Sequence, residues 1–192
     1  MSPRPLAFTD RQLLAAAAEA IADVGPARLT LAEVAGRVGA APATLVKRFG
    51  SKRGLLVALA EHGAGTIDAA LGDPDGSRPA LDQLVERIRA LGADITPREM
   101  AHHVAYLQLD LADPELRGHA AAFLSRFTAG VRRHLDAAVG GGELACPDTA
   151  RLARAVATTY NGTLITWALD GAGTLPDRLA DEIRFLLAPY RN

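Results

Sequence analysis

Lysine is almost missing from this chain. Its 192 residues include two, Lys47 and Lys52, five positions apart. Cysteine is rarer still. Cys146 stands alone, so no internal disulfide can form, and a reducing cytoplasm is the expected setting. Such a thiol is read as inert unless it bridges to another chain or senses an oxidant. Aromatic side chains make up 5% of the total, which leaves little surface for stacking on large planar ligands. β-Branched residues are sparse and no alternation of period two persists, so a sheet protein is not expected. No apolar stretch reaches the length of about 20 residues that crosses a membrane. The run LLAAAAEAIADV (Leu13–Val24) has the look of a signal-peptide core, but Glu19 and Asp23 interrupt it and no cleavage-like site follows.

What is present points to helices. Ala, Leu and Arg dominate, and a hydrophobic content of 49% is enough for a real core. The length allows one or two domains, at roughly 100–200 residues each. The formal net charge of −1 gives no hint of a polyanionic partner, but the average hides an asymmetry. Residues 1–54 hold eight basic residues (Arg4, Arg11, Arg28, Arg37, Lys47, Arg48, Lys52, Arg53) against four acids, a net of +4. The remainder holds thirteen basic against eighteen acidic residues, a net of −5. A basic front on an acidic body suggests two jobs in one chain, divided at 1–54 and 55–192.

Periodicity and punctuation predict nine helices. The first runs from about Asp10 to Val24 and stops at Gly25-Pro26. Thr30 caps the second, with Glu33 three residues on as a capping box, and Gly39 suits the left-handed turn that ends it. Pro42 opens a third helix, ending near Phe49. Ser51 caps a fourth, in which Gly63 and Gly65 invite a bend. The loop GDPDGSRP (Gly72–Pro79) is the clearest break. A fifth helix follows to about Leu91. Thr96-Pro97-Arg98-Glu99 is a second capping box that opens the sixth. Asp113-Pro114 ends that helix and starts a seventh, to about Val139. The eighth covers about Thr149 to Asp170 and the ninth about Leu175 to Ala188.

The segment GAAPATLVKRFGSKRGLL (Gly39–Leu56) holds both lysines and two Lys-Arg pairs. Two short helices joined at Gly39 read as a helix-turn-helix, whose second helix lies in a DNA major groove with its N-terminal residues at base edges. Ala40, Ala41 and Ala43 let the backbone approach closely, and alanine can meet a thymine methyl. Thr44 offers a hydroxyl at the same end. Lys47, Arg48, Lys52 and Arg53 follow where phosphates flank the groove. The plainer alternative is a helical hairpin with a solvated basic face.

From Thr30 to Leu56 the sequence TLAEVAGRVGAAPATLVKRFGSKRGLL resembles the DNA-binding signature of the TetR/AcrR family of bacterial transcription regulators. The matching residues are Thr30, Val34-Ala35, Gly39, Thr44-Leu45, Phe49, Lys52 and Leu55, within about residues 9–60. The chain departs from the family pattern at Ala41, where a capping serine is usual, at Val46, where a tyrosine is usual, and at Arg48, where a histidine is common. The resemblance implies an all-α, nine-helix architecture with an N-terminal helix-turn-helix domain and a C-terminal ligand-binding and dimerisation domain. It implies backbone contacts from Thr30, Thr44 and Lys52. Lys47 and Arg48 join them by position and charge, and Pro42 and Ala43 sit where base readout is expected. Arg4 is either a minor-groove contact from the N-terminal arm or a solvated tail residue. Leu45 and Phe49 read as core.

The family also pairs two chains through the last two helices. The sequence agrees on its own: the eighth helix is apolar nearly all round, through Leu152, Val156, Leu164, Ile165 and Leu169, and must be buried on more than one side. A homodimer reading a roughly palindromic double-stranded operator is therefore expected, released by a small-molecule effector. Candidate effector contacts are His102, His103, Tyr106, Phe123, Phe127, Tyr160, Asn161 and Trp167. For each, an ordinary core or surface role is the alternative. Glu99 and His102 share one helix face with a spacing that can bind metal, but the Glu115–His119 pair has a different spacing, and salt-linked surface pairs are the default. No nucleophile–base arrangement or phosphate loop is present, so neither catalysis nor a cofactor is expected. The competing class is an all-α metal-binding or enzymatic bundle.

Overall fold

A computed structural model describes residues 8–93 and 95–192. Arg4 lies outside the described residues. Nine α-helices follow in order among them: α1 (Asp10–Arg28), α2 (Leu31–Val38), α3 (Pro42–Phe49), α4 (Lys52–Leu71), α5 (Ala80–Leu91), α6 (Pro97–Ala112), α7 (Pro114–Gly140), α8 (Thr149–Asp170) and α9 (Leu175–Leu187). The extended pairing among the described residues is one isolated antiparallel bridge, Leu144 with Arg191.

Local chemistry sets the helix ends. Free N–H groups at a helix start need acceptors, and short polar side chains supply them. Thr9 and Gln12 form a complete capping box on α1. Thr96 and Glu99 do the same on α6, with Thr96 N–H to Glu99 Oε2 at 2.7 Å and Glu99 N–H to Thr96 Oγ1 at 3.3 Å. Thr30 keeps half of its expected box: its Oγ1 accepts from Glu33 N–H at 3.1 Å, while the Glu33 carboxylate turns to Arg37. Ser51 accepts from Gly54 N–H at 3.1 Å. The start of α5 is capped from a distance, because the Glu143 carboxylate accepts from Ala80 N–H at 2.7 Å and Leu81 N–H at 3.1 Å.

Two expected breaks behave differently. At Gly25 the backbone takes φ 78°, ψ 160°, a region essentially reserved for glycine. The first segment of α1 ends there, and one more turn carries the helix to Arg28. At Gly63 and Gly65, by contrast, α4 runs on unbroken to Leu71. The open space around both positions shows that no neighbour forces a bend.

The chain packs as two compact units. One holds residues up to Gly63 with Ala101–His119; the other holds Ala64–Met100 with Ala120–Asn192. These packing units differ from the 1–54 and 55–192 division of labour, because Tyr106, Leu109 and Leu116 join the apolar cluster of α1–α4. The first unit centres on Leu13, Ala17, Val34, Leu45 and Leu55, all fully buried. The second centres on Leu84, Ile88, Val131, Leu135, Leu179 and Ile183.

Candidate nucleic-acid interface

Gly39, at φ 70° and ψ 24°, ends α2 in the left-handed conformation. Ala40 N–H then reaches back to Ala35 C=O at 2.9 Å, the bond that defines a Schellman ending. Three residues later Pro42 opens α3, where its fixed φ suits the first turn and its missing N–H goes unneeded. Leu45 is fully buried in the cluster that contains Val34 and Ala35, and Phe49 packs against the same cluster. These anchors turn the opposite face of α3 outward. Pro42, Ala43, Val46, Lys47 and Arg48 are exposed and Thr44 is half-buried. Val46 is 50% exposed, an apolar spot where a tyrosine hydroxyl is usual in the family pattern. Ala41 holds the extended backbone of a cap but offers no side-chain acceptor.

The cations differ in what they touch. Arg48 pairs with Asp10 and donates to Phe8 C=O at 3.3 Å, so it ties α3 to the start of α1. Lys52 Nζ donates to Ala27 C=O at 2.8 Å. Arg53 makes a bidentate pair with Asp113, at 2.7 and 3.0 Å, and reaches Glu115 at 2.8 Å. The guanidinium holds the Asp113 carboxyl down to about 2, and Asp113, then Glu115, raise Arg53 in turn. Lys47 is exposed with no such partner among the described residues. Asp-Pro reads as a helix break from sequence, although an aspartate there is also a good N-cap; its Oδ1 accepts from Glu115 N–H at 2.9 Å.

The eight candidate effector residues are divided between the two packing units. His102 and Tyr106 belong to the first unit. His102 Nδ1 lies 2.6 Å from Ala22 C=O, which can receive nothing from Pro26 four residues on, since proline has no N–H. The carbonyl needs a donor, so Nδ1 carries the proton. The same ring closes on Gly25, where an added Cβ would stand 3.0 Å from His102 Cδ2. Tyr106 donates to Leu56 C=O at 3.2 Å, and burial raises its phenol. His103 is exposed. In the second unit, Phe127 and Tyr160 form a tilted ring pair with centroids 5.0 Å apart, and burial pushes Tyr160 up to about 12. Trp167 is buried and donates to Gly173 C=O at 3.2 Å. Asn161 is exposed and donates to Ala157 C=O, and Phe123 is exposed. A cavity of about 30 Å³ between α5 and α9 is lined by Leu81, Asp82, Val85, Arg184, Leu187 and Arg191, none of them a candidate. Among the described residues no group of three metal-ligating side chains converges; Glu99 serves the α6 cap and His102 the α1 carbonyl.

Two short helices joined at Gly39, the second presented outward from an otherwise helical chain, define the class: an all-α protein with a helix-turn-helix near its start. Residues 13–59 match the family model described as bacterial regulatory proteins, tetR family. The search of curated proteins finds no match. Among solved structures, a transcriptional regulator from Rhodococcus sp. Rha1 is 19% identical with a TM-score of 0.72, covering 95% of this chain and 98% of that one. SmeT, the repressor of the Stenotrophomonas maltophilia multidrug efflux pump SmeDEF, is 20% identical with a TM-score of 0.67, over 96% and 91%. FadR from Bacillus subtilis, in complex with stearoyl-CoA, is 21% identical with a TM-score of 0.71, over 94% and 98%. At these identities the likeness is one of fold.

Proposed function

We propose that the chain is a homodimeric repressor that binds a roughly palindromic operator and leaves it when a small-molecule effector binds. The observation that carries this reading is α3 itself, fixed from beneath by Leu45 and presenting small and cationic residues outward. Pro42 and Ala43 meet base edges. Thr30, Thr44, Lys47 and Lys52 meet the backbone. Arg48 does so while pinned to Asp10. Residues 1–54 read DNA, and 55–192 hold the effector and the partner chain.

Dimerisation runs through α8 and α9. Ile165, Leu169 and Phe185 are 44%, 83% and 80% exposed there, and large apolar side chains left in water at this density mark an interface. Two α3 helices on a two-fold axis then reach half-sites about 34–36 Å apart. SmeT is named a repressor and FadR is described with an acyl-CoA bound, which supports repression and a small-molecule effector here. The effector must bind the two states of the dimer unequally, and α4 is the proposed lever between head and body. Enrichment of genomic fragments on the purified protein, followed by release with candidate metabolites, tests the reading. One enriched inverted repeat is expected. Equal recovery of all fragments overturns it, as does catalytic turnover or stoichiometric bound metal.

A further inference from the structure

We propose that Arg28 is a DNA-backbone contact, and that with Lys52 and Thr30 it grips one phosphate at the junction of α1 and α2. The inference rests on the DNA-binding reading and adds a residue to it. Lys52 Nζ is held 2.8 Å from Ala27 C=O. That carbonyl belongs to the peptide group joining Ala27 to Arg28, so the Lys52 ammonium is fixed at the peptide unit from which the Arg28 side chain springs. The acids nearest in sequence are already engaged, since Asp23 and Glu33 lie 2.7 and 3.2 Å from Arg37. Arg28 is exposed and carries no ion pair or side-chain hydrogen bond among the described residues.

The donor inventory fits a phosphate. Lys52 offers three N–H groups and gives one to Ala27, which fixes the ammonium and leaves two. Arg28 offers five, in the planar fork that matches phosphate oxygens. Thr30 Oγ1 uses a lone pair on Glu33 N–H and keeps its own O–H to donate. Arg48 and Arg53 form the contrast, each already matched to a carboxylate. Counter-charge thus separates cations that hold the head together from cations that await a ligand. The open setting of the trio suits a phosphate on a polymer held by many other contacts.

The test uses the full chain with the operator obtained by fragment enrichment and a scrambled duplex of equal length. Arg28→Gln should weaken both duplexes alike. It should also lower the slope of log K against log salt by about 0.9 for each head engaged. Arg28→Lys should keep most of the slope. Replacing the gripped phosphate with a neutral methylphosphonate should abolish the difference between wild type and Arg28→Gln. Arg151→Gln, an equal change in net charge on α8, should leave the slope alone. An unchanged slope in Arg28→Gln, or an equal drop in Arg151→Gln, overturns the clamp while wild-type binding still supports the regulator. Displacement of DNA by millimolar inorganic phosphate at constant ionic strength overturns it in favour of a free-anion site. Absence of any wild-type binding overturns the DNA reading itself.

Discussion

Asp110 shows how a single side chain can act against stability. Its Oδ1 is buried on α6 without a hydrogen-bond partner, and burial pushes the carboxyl up to about 6. A carboxyl raised in the folded state binds its proton more tightly there than in the unfolded chain. Its favourable contribution is therefore complete below pH about 4 and is lost as pH rises through about 6. Asp110→Asn should flatten the stability profile across that window and raise stability at pH 7 by about 1 kcal/mol. The shift alone converts to more, but the side chain is half-exposed and solvent screens it. Denaturant titrations at pH 4.5 and pH 7 check this; a variant equally displaced from wild type at both would exclude burial as the cause. Asp113, only three residues on, has the opposite sign. Arg53 holds it low, so its contribution is present above pH about 4 and fades as pH falls towards 2.

Among the elements, α3 is the one with an incomplete start. Ala41 sits at φ −72°, ψ 140° with no side-chain cap, a backbone shape into which a serine fits directly. Ala41→Ser should stabilise the head by about 1 kcal/mol, read from the midpoint of chemical unfolding at constant m-value. No gain would mean that Pro42 and the packing of Leu45 already hold the turn. The glycines of α4 are a second element-scale case. An added Cβ at Gly63 or Gly65 meets nothing within 4 Å, so alanine should strengthen the helix by roughly 1 kcal/mol per site. If α4 is the lever, Gly63→Ala with Gly65→Ala weakens induction in a reporter strain while operator affinity stays near wild type. Full induction by the stiffer helix would remove α4 from that role.

At the scale of the whole molecule, the proposed assembly turns on the exposed apolar residues of α8 and α9. Leu169→Glu with Phe185→Glu places charge where the proposed dimer buries hydrocarbon. Sedimentation should then give a monomer of ordinary helicity, and operator affinity should fall by at least tenfold, since one head alone meets one half-site. A variant that still sediments as a dimer places the interface elsewhere.

Sequence by itself determined most of the helix starts and stops, because most depend on groups within four residues of one another; the start of α5, capped by Glu143, does not. Thr30, Gly39, Pro42, Ser51 and the Thr96–Glu99 pair each act on their own turn. It also determined which face of α3 turns outward, through the spacing of Leu45 and Phe49. The tertiary structure decided what the charges and rings touch. Lys52 finds a carbonyl 25 residues away and Arg53 a carboxylate 60 residues away, and no local pattern encodes such choices. His102 has the composition of a ligand contact, and only the folded chain reveals that it answers a carbonyl beside the kink at Gly25. Caps and turns are short-range and legible; partners far apart in sequence are selected by packing, which forms only when the whole chain has folded.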